Sequence, residues 1–235
     1  SEAAPIGLCA PGRQARALVR RPPPAHVLAM RPPTAAAALL LALAPAALAT
    51  EAVEARYVAR VAGFRVMTID VHAAIGPDTY RITARARSAG LATLATRFDQ
   101  TATAEGAVTD AGIRPFRFRA EGKWQGETRR VDLALAETPP RIALDPPEVP
   151  EREPVPPTLA QGGVDTLTAL LAVSRQVARL GARGCDLEVT VFDGRRLKKI
   201  TLAPSGEGRV PGHPEVTAVR CHIEGRQLAG FWRDW

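Results

Sequence analysis

From residue 55 onward, apolar and polar positions alternate in short runs bounded by turn residues. A period of two is the signature of half-buried antiparallel strands, since successive side chains leave a strand on opposite faces. The run 55–62 sets Tyr57, Ala59 and Val61 on one side, and after Gly63 the pattern resumes over 64–71. Gly76-Pro77-Asp78 marks a turn. The run 80–87 places Tyr80, Ile82, Ala84 and Ala86 on one face and Arg81, Thr83, Arg85 and Arg87 on the other. Further strands are expected near 91–103, 113–121 and 128–136.

Residues 139–157 hold eight prolines. Proline has no amide donor, so this tract cannot be a central strand and should run extended over the surface as a crossover connection. The one convincing helix follows. Gly162-Gly163 breaks the chain, Asp165 is placed to cap, and Leu167, Leu170, Leu171, Val177 and Leu180 recur at helical spacing before Gly181. Three strands close the chain: 187–192 and 197–202 around the tight-turn pair Asp193-Gly194, then 216–223. The expected fold is therefore mainly β: a single curved antiparallel sheet, with twist enough to approach a half-barrel, and one packed α-helix.

An apolar run at the other end of the chain changes the compartment. Met30-Arg31-Pro32-Pro33-Thr34 precedes residues 35–46, which are almost wholly apolar, and Ala47-Leu48-Ala49 has the small-x-small form of a cleavage site. The run is shorter than the roughly 20 residues of a membrane span. Residues 30–49 are thus expected to be a signal peptide, 1–29 an upstream or disordered extension, and 50–235 one β-rich domain in the periplasm. The net charge of +7 shrinks accordingly, because residues 1–49 carry five arginines and one acid. Export and a nearly balanced mature chain argue against a nucleic-acid partner. Of three cysteines, Cys185 and Cys221 remain after processing. An even number in an oxidising compartment points to a disulfide, with two buried free thiols as the alternative. First and third strands of a meander lie about 9–10 Å apart. Pairing therefore needs either Cys185 in the loop before its strand or a last strand out of meander order.

Several tracts together resemble a known family. They are Gly162-Gly163-Val164-Asp165-Thr166-Leu167-Thr168-Ala169-Leu170-Leu171, Cys185, Val191-Phe192-Asp193-Gly194-Arg195-Arg196, and Cys221 with Leu228-Ala229-Gly230-Phe231. Tyr57-Val58-Ala59-Arg60-Val61-Ala62-Gly63-Phe64 and Gly112-Ile113-Arg114-Pro115 fit as well. The chain is similar in these to the bacterial exported proteins grouped as domain of unknown function 3108. The resemblance implies an exported, largely antiparallel β protein and supplies no catalytic residues. It also implies that a chain stopping at Trp235 lacks a final segment, which would leave a sheet edge unpaired.

Candidate chemistry is sparse. Ser88, Ser174 and Ser205 are outside any nucleophile elbow. Asp70 and His72 share a strand face, where a carboxylate can orient an imidazole base, although a solvated face is the plainer reading. His72, His213 and His222 show no metal-ligand spacing. Gly206 to Gly212 lacks the Lys-Ser/Thr of a phosphate loop and reads as a hairpin loop. No enzyme, metal or cofactor is expected. Arg81, Arg85 and Arg87, with Arg117 and Arg119, would form a basic face suited to anionic headgroups or envelope polymers, if not simply an ordinary outer face. Two functions follow. One is a periplasmic carrier holding an apolar or amphipathic ligand between sheet and helix, near Leu170 and Leu171. The alternative is a structural or assembly factor of the envelope, acting through a sheet edge or the basic face, with membrane contact peripheral or through the leader alone.

Overall fold

The computed structural model describes residues 50–95, 97–124, 126–147, 149–210 and 213–233. The expected signal peptide and upstream extension lie outside them. The described chain is mainly β, and its strands, shared between two sheets, all pair antiparallel; one isolated parallel bridge joins Val164 to Val191. Strands β1 (Glu51–Val61), β2 (Phe64–Ile75), β3 (Thr79–Ser88), β4 (Asp99–Thr109), β5 (Gly112–Trp124), β6 (Glu127–Ala134) and β7 (Arg141–Asp145) form a seven-stranded meander in chain order. Strands β8 (Leu187–Phe192), β9 (Leu197–Val210) and β10 (His213–Ala229) form a three-stranded sheet ordered β10-β9-β8. Neither sheet closes into a barrel.

Between them lies helix α2 (Thr166–Leu180). Asp165 caps it, its carboxylate accepting from the backbone amides of Leu167 and Thr168, and Gly181 ends it at φ +61°. Leu167 and Leu171 join the core of the larger sheet, whereas Val173 and Val177 pack on the smaller one. The core of the larger sheet follows from strand register. Ala73, Ile82, Ala104, Phe118, Leu133 and Ile142 lie side by side across β2 to β7, small and large alternating as far as Phe118 and large from there to β7. Gly106 faces Tyr80, and a Cβ there would stand 2.6 Å from the tyrosine ring. The missing methyl lets the Tyr80 hydroxyl reach Thr168 Oγ1 at 2.6 Å inside the core.

Three local readings change. Residues 91–95 turn into a short helix, α1 (Ala92–Ala95), before β4 starts at Asp99. Hydrogen bonds to Gly90 O from the Thr93 amide and hydroxyl hold that turn. Gly206 to Val210, read as loop, extends β9, whose pairing with β10 carries on to Val210↔His213. The turn at Asp193-Gly194 is not the two-residue type with positive φ at both positions. Only Gly194 is left-handed, at φ +94°, and the Asp193 carboxylate accepts from the amides of Arg195 and Arg196.

The proline tract supplies β7, an edge strand as proline permits, and then crosses from one sheet to the other. It is pinned to the chain end by Glu153 N to Phe231 O and Arg233 N to Glu151 O. Cys185 closes a 3-10 turn, Gly181–Cys185, just before β8, and is joined to Cys221 of β10 with Cα atoms 5.5 Å apart. The smaller sheet keeps meander order, so the bridge is reached from the loop before its strand.

Candidate functional site

Strand alternation gives the larger sheet an apolar face toward α2 and a polar face away from it. On the polar face one row crosses all seven strands: Arg56, Asp70, Arg85, Thr101, Glu121, Arg130 and Asp145 stand in register. At about 4.8 Å per strand such a row spans roughly 29 Å. Charges of opposite sign meet along it. Asp70 accepts from Arg56 and Arg87, and Arg130 bridges Glu121 and Asp145.

The expected arginine face is present as a set of neighbours, but it is not a basic surface. Arg81 pairs with Glu105 at 2.9 Å and Arg85 binds Asp99 through both Nε and Nη2. Arg87 pairs with Asp70, and Arg117 and Arg119 share Asp132. The partners come from neighbouring strands, so counting charges along a single strand missed them. These contacts hold the carboxyls below their ordinary range. Hydrogen bonds from Arg56 lead for Asp70, from Arg85 for Asp99 and from Arg117 for Asp132. Each is a solvent-facing pair and adds little stability. Their joint effect is a fixed checkerboard of donors and acceptors.

Over β3 to β7 this face is concave and holds a trough of about 760 Å³. Its charged lining is Arg85, Arg119, Lys123 and Arg130 against Asp99, Glu121, Asp132 and Asp145, four of each sign. Thr101, Thr103, Thr128 and Ala143 give it a floor of short side chains. A carrier cavity between sheet and helix was expected near Leu170 and Leu171. Leu171 instead fills the packed core with Tyr80, Phe118 and Phe192, and Leu170 is half-buried. The trough lies on the other face of the sheet.

The remaining candidates stay apart. Asp70 is held by arginines, and His72 meets Glu54 at 3.3 Å, so the two form no dyad. His213 and His222 face Glu215 and Glu224. Among the described residues no group of three or more His, Cys, Asp or Glu is placed to hold a metal ion. Nor is any described helix long and apolar enough to cross a membrane. The side chains of Trp124 and Trp235 lie outside those described.

A helix clasped between two open antiparallel sheets, one presenting a polar trough, defines a β-rich protein with a broad surface cleft. More particularly, the chain belongs to the family described as protein of unknown function (DUF3108), which its residues 56–227 match. No curated protein and no solved structure matches it.

Proposed function

We propose that the protein is an exported, non-enzymatic envelope protein whose polar trough binds a hydroxyl-rich envelope polymer of low net charge. The observation that carries this reading is the trough's electrically balanced lining. A polyanion would meet as many carboxylates as cations there. A neutral or zwitterionic glycan would instead find alternating donors and acceptors around a threonine floor. Short side chains leave room for a chain lying across the strands, and the ion pairs fix the charged groups before binding, which lowers the ordering cost.

Thr101 stands mid-floor and is exposed. Thr101→Trp should leave stability within about 0.5 kcal/mol, as surface substitutions usually do, while filling the trough. Co-sedimentation with purified peptidoglycan sacculi should fall at least tenfold in that variant. Wild-type binding should persist between ionic strengths of about 0.1 and 1 M, where the screening length drops from about 10 to 3 Å. Binding abolished by salt, or unchanged in the Trp variant, would sink the reading.

A second reading is favoured by one end of the same sheet. Val61, Phe64, Leu91 and Leu94 are 55, 62, 65 and 86% exposed. They come together because Val61 pairs with Phe64 across the β1–β2 turn, while Ala89 N bonds Val66 O beside Leu91. Exposed Arg60, Arg65 and Arg97 surround this tip. An apolar wedge ringed by cations suits an anionic bilayer surface, as in an envelope assembly factor. Phe64→Ser with Leu94→Ser should weaken binding to phosphatidylglycerol-containing vesicles by tenfold or more, the removed chains being worth about 1.5–3 kcal/mol each if fully buried. Equal partitioning of variant and wild type would dismiss membrane contact through this tip.

A further inference from the structure

We propose that the cleft between the proline strap and the β8–β9 turn is an anion site for a single phosphoryl or sulfuryl group. It is a cavity of about 70 Å³ lined by Arg152, Arg195 and Arg233 and by one carboxylate, Glu153, with apolar walls from Ile142, Leu144 and Val155. That is room for a few waters or one tetrahedral oxyanion. The site is distinct from the trough: the two share Leu144 alone of the lining residues named here, and none of the three arginines lines the trough.

Its parts are rigidly held. Arg152 is 9% exposed, donates through Nη1 to Gly230 O, and lies over the Trp232 ring with its guanidinium carbon 4.0 Å from the ring centre. Arg195 donates through Nη2 to Pro146 O, and its own amide is fixed by Asp193. The backbone bond from Arg233 N to Glu151 O sets Arg233 at the mouth. Each guanidinium has five N–H donors, and these anchors use only one from Arg152 and one from Arg195.

Among the described residues the surrounding charge is unmatched. Arg129, Arg196 and Lys198 stand close behind, making six described cations, and the described carboxylates among them are Glu151, Glu153 and Asp193. Glu151 is taken by Arg129 and Asp193 by Arg196, while Asp145 farther out is taken by Arg130. Among the described residues nothing accepts from Arg129 Nε, although that atom is buried. Burial, then repulsion between like charges, pulls Arg152, Arg195 and Lys198 below their ordinary pKa values. Clustered, half-desolvated cations are costly unless an anion sits with them. Planar forks of this kind match phosphate oxygens in pairs.

The test titrates the whole chain with inorganic phosphate and with sulfate, against sodium chloride at equal ionic strength, by isothermal calorimetry and thermal melting. The site predicts saturable, one-to-one binding and a melting point raised by phosphate beyond the chloride control. Arg233→Gln leaves the buried anchors intact and should weaken phosphate at least tenfold. Arg152→Lys keeps the charge, loses the fork and should weaken it likewise. Vesicles carrying phosphatidic acid distinguish the source: adsorption displaced by inorganic phosphate indicates a headgroup ligand, and adsorption indifferent to it a soluble one. Phosphate that acts no differently from chloride, or binds equally to Arg233→Gln, overturns the proposal.

Discussion

Replacing Cys185 and Cys221 together by alanine should lower stability by about 4 kcal/mol, the loss expected for a closed loop of this length in the chain-entropy model. The bridge joins positions 36 residues apart. It matters more here than loop length alone suggests, because the core beside it is thin. Cys185, Leu202 and Cys221 are its buried members, and Val173, Val177, Leu187, Ile200, Val219 and Ile223 only half-close around them. Helix α2 spends its best apolar positions, Leu167 and Leu171, on the larger sheet. The smaller sheet therefore depends on the covalent tie between the turn after α2 and β10. Urea denaturation of oxidised wild type and the double variant measures the loss. Hydrogen exchange should locate it in β9 and β10, with β2 to β6 still protected under native conditions. A loss below about 1 kcal/mol, small beside typical disulfide contributions, would show the smaller sheet to be self-supporting.

How much of this was legible in the sequence depends on the range of the interaction that decides each feature. Alternation marked β2, β3, β5 and β8 because half-burial is a strand-local property. The α2 boundaries were legible because caps are chosen by adjacent residues: Asp165 before the helix and Gly181 after it. Residues 91–95 misled because their spacing suits a strand, while the bonds to Gly90 favour a turn. The partition into two sheets was out of reach. Alternation in β8, β9 and β10 looks the same whether they extend the first sheet or form a second, and it is the proline strap and the seat of α2 that decide. The same limit hid the trough. Arg85 and Arg87 read as unopposed cations until hairpin register brought Asp99 and Asp70 beside them. Extending the 76–78 turn outward residue by residue would have found the Asp70–Arg85 pair. Asp132 beneath Arg117 and Arg119 needed the β5–β6 register as well.

Asp165 should be the residue whose loss tells most about how the two sheets are held. It is fully buried and takes three hydrogen bonds, from the amides of Leu167 and Thr168 and from the Thr168 hydroxyl. That hydroxyl continues to Tyr80 on β3, so one network runs from the helix cap into the large sheet. Asp165→Ala strands two amides and a hydroxyl in the interior and should cost about 2–4 kcal/mol. Asp165→Asn keeps the cap, since the amide oxygen can accept both N–H bonds and the amide nitrogen can donate to Thr168. It should recover most of that loss, which separates the cap from the charge. The pH dependence supplies the second half of the argument. Burial, outweighing the hydrogen bonds, raises the Asp165 pKa above its ordinary value of 3.8. The folded state then holds the proton more tightly than the unfolded chain. The stability this group contributes is fully present below the unfolded pKa and is lost as pH rises through the folded one, by at most about 1.4 kcal/mol per pH unit. Asp99 and Asp132, held low by arginines, act in the opposite sense: their contribution is present above the unfolded value and is lost as pH falls through the folded one. The two effects occupy different windows, one above pH 4 and one below it. Melting curves of wild type and Asp165→Asn should therefore diverge with rising pH above that point, the variant being the flatter. Parallel curves would mean that the buried carboxylate carries no charge penalty, and that the helix N-terminus and its hydrogen bonds stabilise the anion in full.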